Sequence, residues 1–212
     1  MPEPVRAPRT GGGRSGYVVT RVPTGEAVSE KWSDVRGTYA ELLAEIGSAT
    51  PELGMPTARE WCGGVDFLDV VDNALGAYLE ADRLPALRAV GEMLDLGEVR
   101  AAIVHGDFGP HNIGWRDGVA VSVFDWDHSA LDDPAIDIAP LIGIYGARHV
   151  ADIAPADLLQ RAMRHRATLP LQVAAAAHRV GDAALRDHAV SNFRSRLAAG
   201  TLHDPAGSRP LA

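Results

Sequence analysis

The stretch Ile103-Val-His-Gly-Asp-Phe-Gly-Pro-His-Asn-Ile-Gly-Trp115 sets a polar, turn-forming cluster between two apolar pieces. Two histidines, one aspartate and one asparagine lie among glycines and a proline. The flanks, AAIVHGD and NIGWRDGVAVSVFDW, are the clearest strand signals after the first sixty residues or so. Within the second flank, Arg116-Asp117-Gly118 marks a tight turn joining Asn112–Trp115 to Val119–Phe124. Such a cluster is either a surface turn or a site, and the rest of the chain decides between them.

Composition narrows the choice. The chain has 212 residues, 46% of them hydrophobic, enough for a substantial core. Its net charge of −8 argues against nucleic acid as a partner, since phosphate backbones are bound by clustered Lys and Arg. A single cysteine, Cys62, rules out an intrachain disulfide and a cysteine-based zinc site, so a reducing cytoplasm is the expected compartment. No stretch is long and apolar enough to span a membrane, and the N-terminus lacks the apolar core of a secretory signal.

Outward from the cluster, periodicity assigns the elements. Residues 1–16 read as a flexible N-terminus. Tyr17–Arg21 and Ala27–Trp32 read as a hairpin closed at PTGE. A helix follows, N-capped by Ser33, with Val35, Tyr39, Leu42, Leu43 and Ile46 on its apolar stripe and Gly47 at its end. Residues 65–81 and a segment opened by Pro85 are further helices. After Asp133-Pro134, helices are expected at about Ala135–Tyr145, Pro155–His165, Leu171–Arg179 and Asp182–Ala198, with a frayed tail at 204–212. This is an α+β chain. A short αβ piece, taken as residues 17–60, precedes a mostly helical body, 61–203, that carries one small β element.

The cluster has the form His105-Gly106-Asp107-x-x-x-x-Asn112, and the apolar strand downstream ends in Val123-Phe-Asp125-Trp-Asp127. Phosphoryl transfer needs an oxygen base beside the acceptor hydroxyl and hard oxygen ligands for Mg²⁺ on the nucleotide phosphates. Asp107 suits the first task. Asn112 and Asp125, at the two ends of one hairpin, suit the second. On an extended strand end Asp127 would point to the same side as Asp125 and support a second metal. The simplest reading of His105 is a buried histidine that holds the loop, and that of Asp132 and Asp133 is a turn and N-cap. A zinc site from His105, Asp107 and His111 lacks metalloprotease spacing.

Taken together, VHGDFGPHN…VFDWDHSALDDPAIDIA resembles the aminoglycoside phosphotransferase and choline kinase-like superfamily of small-molecule kinases. That family's signature is an H-G-D-x-x-x-x-N loop, a strand ending in D-W-[DE], and a D-P…D-[IL]-A segment. The resemblance is close from Val104 to about Ala139. It implies a protein kinase-like fold with a reduced N-terminal lobe, Asp107 as catalytic base, Asn112 and Asp125 as Mg²⁺ ligands, and Asp137 bracing the loop through its backbone. It also implies ATP or GTP as co-substrate and a small-molecule hydroxyl as acceptor. His111 departs from the tryptophan common at its position in this family, and no catalytic role is assigned to it.

The nucleotide lobe is the thin part of the match. Gly11–Gly16 reads as a phosphate-covering loop or as a linker. Lys31, the sole lysine beside 19 arginines, reads as a surface residue or as a nucleotide-binding lysine oriented by Glu41 or Glu45 on the next helix. The short lobe leaves two alternatives to a small-molecule kinase: a catalytically silent kinase-like binding protein, and a kinase acting on a peptide hydroxyl.

Overall fold

A computed structural model describes residues 4–6, 19–20, 31–51, 54–58, 61–95, 97 and 99–211. The Gly-rich segment 11–16 and residues 27–30 of the expected return strand lie outside them. Strand β1 (Pro4–Arg6) pairs antiparallel with β2 (Val19–Thr20). Helix α1 (Trp32–Ser48) starts one residue before the expected Ser33 cap, so Trp32 is helical and not the end of a strand. Ser33 cannot cap a turn it already belongs to; its hydroxyl donates to Asp34 instead, at 2.8 Å.

α1 buries Trp32, Val35, Tyr39 and Ile46. Tyr39 is the hub. Its ring meets Phe108 of the polar cluster edge-on at 6.0 Å and Trp115 at 6.2 Å. Its hydroxyl lies 3.1 Å from that of Tyr145. Asp152 ties the start of the helix down, accepting from Trp32 Nε1 at 3.0 Å and from Arg36 at 3.1 Å. α1 therefore shares one core with the loop, the hairpin and the helix that follows them.

Residues 65–81, expected as one helix, form α2 (Phe67–Asp69), a π turn (Val70–Ala74), α3 (Gly76–Leu79) and a 3₁₀ turn to Asp82. The apolar positions hold despite the changes of pitch: Phe67, Val71, Leu75 and Leu79 are all buried. α4 (Arg83–Leu94) carries Pro85 in its first turn, where a missing N–H costs nothing.

Strand β3 (Ala102–Val104) leads into the cluster. β4 (Ile113–Arg116) and β5 (Val119–Val123) form the hairpin, and β6 (Ala130–Asp132) returns to pair antiparallel with β3. The β6 pairing accounts for Asp132, expected in a turn: its backbone faces Ala102, and its side chain accepts the Ala58 N–H at 2.8 Å. Asp133 does open the next helix, accepting from the Ala135 N–H at 3.0 Å.

α5 (Ala135–Tyr145) is the buried central helix, followed by the short α6 (Ala147–Val150). α7 is one helix, Ala156–Val180, where two were expected on either side of Pro170. Proline interrupts a helix by removing one N–H and crowding one carbonyl. Here both flanks are locked by burial, with Ala167, Leu171, Ala174 and Ala175 all inside, so the chain continues through it. α8 (Ala183–Ala198) is capped by Asp182, whose carboxylate accepts the Leu185 N–H at 2.9 Å. α2 to α4 pack with α7 and α8 around a second core.

The tail is not frayed. Asp204 is fully buried and accepts the Ala147 N–H at 3.0 Å, and the Leu211 N–H donates to Gln160 at 2.5 Å. No helix among the described residues is long and apolar enough to cross a membrane.

Candidate active site

The polar cluster is a loop hung between β3 and β4 and braced from below. Asp137, in the first turn of α5, is 2% exposed. Its two carboxylate oxygens accept the His105 N–H at 2.7 Å and the Gly106 N–H at 2.8 Å. Burial pushes its pKa up to about 6, against the pull of those two N–H donors, and the nearby Asp107 charge adds to the rise.

His105 is the second brace. Its Nε2 lies 2.9 Å from the Phe124 carbonyl, and its Nδ1 accepts the Asp107 N–H at 3.3 Å. A ring that donates from Nε2 and accepts at Nδ1 is the neutral tautomer. Burial depresses its pKa in agreement, although the Phe124 carbonyl and the charges of Asp107 and Asp125 pull the other way. The Trp126 ring covers the imidazole at 4.7 Å between centroids. Between the braces, Gly106 adopts φ +91°, and a Cβ there would stand 2.1 Å from the His128 carbonyl oxygen. Only glycine lets β3 turn this closely past residue 128.

Asp107 emerges from this support with its side chain 43% exposed. Its Oδ2 is held by Asn112 Nδ2 at 3.2 Å, and Asn112 Nδ2 also donates to the Asp107 carbonyl at 2.8 Å. The second holder of Oδ2 is His111, whose Nε2 lies 3.2 Å away. Sequence reasoning gave His111 no part. The signal was its spacing, four residues from Asp107 across a short 3₁₀ turn, Pro110–Asn112.

Asn112 and Asp125 stand at the two feet of the hairpin. Ile113 pairs with Val123, and the Phe124 N–H donates to the Asn112 carbonyl at 3.0 Å. Asn112 commits its amide hydrogens to the loop, while its Oδ1 makes no hydrogen bond among the described residues. Asp125 sits in the left-handed region at φ +65°, exposed, and its carboxylate has neither hydrogen bond nor ion pair among the described residues. An amide oxygen and a carboxylate without competing partners are the hard donors that Mg²⁺ takes. Asp127 is placed differently from expectation. The chain after Asp125 turns into a 3₁₀ element, Trp126–His128, so the two-residue alternation of an extended strand does not apply there. Asp127 is exposed, and its role as a ligand beside Asp125 loses its geometric basis.

The structure does not bring Lys31 and Glu41 together. Lys31 is the extended residue that precedes α1, and Glu41 lies ten positions along the same helix, exposed. At 1.5 Å per residue that separation is about 15 Å, beyond the reach of an ion pair.

The fold and the loop together define a kinase-like body. Residues 1–176 match the family model described as the phosphotransferase enzyme family, and the chain belongs to that family. It is 29% identical over 194 residues to viomycin phosphotransferase of Streptomyces vinaceus, covering 84% of this chain but only 64% of that relative's length. Among solved structures, the GDP and kanamycin complex of APH(2")-IIIa superposes with a TM-score of 0.71 at 15% identity, over 93% of this chain and 76% of the other. A choline/ethanolamine kinase family protein from Mesorhizobium loti superposes with a TM-score of 0.64 at 14% identity, over 95% and 76%. These likenesses establish the protein kinase-like fold.

Proposed function

We propose that the protein transfers the γ-phosphate of ATP or GTP to a hydroxyl of a small molecule, an antibiotic of the kind its relatives modify. The carrying observation is the Asp107 carboxylate: solvent-open, anchored through one oxygen by Asn112 and His111, on a loop whose backbone is fixed by Asp137. That leaves Oδ1 to orient an acceptor hydroxyl and take its proton as the oxygen attacks phosphorus. Pre-positioning of this kind is what a loose phosphoryl-transfer transition state needs from a protein. Asn112 Oδ1 and Asp125 would hold Mg²⁺, which would supply positive charge to offset that of the nucleotide phosphates. Viomycin phosphotransferase as a relative, and the GDP and kanamycin bound by a structural neighbour, support nucleotide and antibiotic as the substrate classes. A reaction that draws on ATP or GTP fits the cytoplasm.

The test uses the whole chain with labelled ATP and GTP, Mg²⁺, and viomycin or kanamycin as acceptor. Transfer is expected with at least one pair. Asp107→Asn is expected to abolish it with melting behaviour and Mg²⁺-dependent nucleotide binding retained, whereas Asp125→Ala is expected to lose the Mg²⁺-dependent binding. Nucleotide binding itself is read by thermal shift, since a ligand that binds only the folded state raises its stability. Wild-type turnover by the Asp107 variant would overturn the assignment of the base.

A further inference from the structure

A cavity lies away from the polar loop, where α4, α7 and α8 meet the C-terminal tail. Its volume is about 470 Å³, and no residue of the loop or hairpin lines it. That size falls within the range of small-molecule sites, roughly 300–1,000 Å³. Its walls are apolar, including Pro85, Ala89, Leu197, Leu202 and Leu211.

The charges at its rim run against the rest of the molecule. Arg88 comes from α4, Arg164 from α7 and Arg209 from the tail, against one carboxylate, Glu92. The chain as a whole carries −8. Some arginines elsewhere are tied into ion pairs, as Arg161 is with Asp133 and Asp157, or Arg194 with Asp82, while others, such as Arg116 and Arg148, stand singly on the surface. Arg88 and Arg209 make no hydrogen bond or ion pair among the described residues, and Arg164 gives one hydrogen bond, at 3.3 Å, to the Leu211 carbonyl. His203 also lines the cavity. Its Nε2 is buried without a hydrogen-bond partner and lies 4.0 Å from the Glu92 carboxylate. Burial lowers its pKa, Glu92 opposes that, and the field of Arg209, Arg166 and Arg164 deepens it. Three guanidinium groups against one carboxylate around an apolar chamber leave a net positive potential where an anion can enter.

We propose that this cavity is a binding site for a small organic anion: an apolar body within the chamber and one carboxylate or phosphoryl head group between Arg88 and Arg209. The tail forms one wall, held by Gln160 and Arg164, so occupancy would also clamp residues 209–211. The cavity shares no residue with the phosphoryl-transfer site, so an anion can bind here whether or not that reading holds.

Isothermal titration of the full chain with octanoate, with octanol as the neutral counterpart, tests it. Octanoate is expected to bind at one site per chain, and octanol at least roughly tenfold more weakly. The double variant Arg88→Ser, Arg209→Ser removes two exposed, unpaired side chains, so it is expected to melt like wild type. It is also expected to lose at least roughly tenfold in octanoate affinity. An Asp107→Asn control is expected to bind octanoate unchanged. Equal binding of octanol and octanoate, undiminished binding by the double variant, or no octanoate binding at millimolar concentration would each overturn the proposal. An octyl phosphate arm distinguishes the two head groups.

Discussion

The Asp137 brace makes a quantitative prediction with a definite sign. Replacement by Asn keeps the shape and removes the ionisable group. In the folded chain burial lifts the Asp137 pKa from 3.8 to about 6, with the His105 and Gly106 N–H donors limiting the rise. A raised acid binds its proton more tightly in the folded state than in the unfolded one. Its contribution to stability is therefore fully present below the unfolded value and is lost as pH rises through the folded one. At about 1.4 kcal/mol per unit, the contribution is about 3 kcal/mol, and most of it disappears between roughly pH 4 and pH 6. The Asp137→Asn variant would have no such dependence. Its amide would instead present one oxygen to two N–H groups, a pH-independent penalty of about 1–3 kcal/mol. Other carboxylates in the chain have lowered values, and these shape the wild-type curve too. Asp204 is one, where burial is outweighed by hydrogen bonds from the Ala147 N–H, Ser208 and the Ala206 N–H. The readout is thus the difference between wild type and Asp137→Asn. Urea unfolding from pH 3.5 to 7 is expected to show that difference moving in favour of the variant by about 3 kcal/mol as pH rises. A flat difference, or one that moves in favour of wild type, would refute the reasoning about the buried carboxyl.

Three further outcomes are expected. Gly106→Ala would carry a Cβ 2.1 Å from a backbone oxygen at φ +91°, so it should cost more than the roughly 1–2 kcal/mol of left-handed strain alone, seen as a lowered midpoint in urea. Arg161→Ala would strip the guanidinium from Asp133, which is 4% exposed, and should destabilise by about 3–5 kcal/mol, with Asp157→Ala nearly silent because that carboxylate is exposed. Leu171→Ala, just after Pro170 and fully buried, should cost about 2–5 kcal/mol by thermal or chemical denaturation; a negligible loss would mean that α7 does not continue through the proline.

What could be read from the chain before its structure follows the range of the interactions involved. The loop from His105 to Asn112 was legible because its chemistry and its turn residues are local: Gly106 for a positive φ, Pro110 for the short turn, and a fixed offset from Asp107 to Asn112. α5 was legible from end to end because a run that is apolar but for Asp137 follows Asp133-Pro134. The continuity of α7 was not, because what carries a helix through Pro170 is the packing of its flanks against α4, α5 and α8, and packing between separate helices leaves no local pattern. Strand β6 was missed for the same reason: Ala130–Asp132 is a strand only because β3 lies alongside it. Asp127 was misplaced because the extended geometry assumed after Phe124 gives way to a left-handed Asp125. The pairing of Lys31 with Glu41 overlooked that ten residues of one continuous helix set them about 15 Å apart. The Arg88, Arg164 and Arg209 rim is formed by three separate elements, so no local pattern announces it.

The hairpin β4–β5 separates what must be kept from what can vary. Asn112 and Asp125 hang from its feet, and the Ile113 to Val123 pairing sets the span between them. The far end is a two-residue turn in which Asp117 and Gly118 both take positive φ, 52° and 74°, beside Val119 at 62% exposure. That tip touches neither foot. It is a natural graft point, where a fluorescent label or an epitope could be inserted to report on the protein without disturbing either foot.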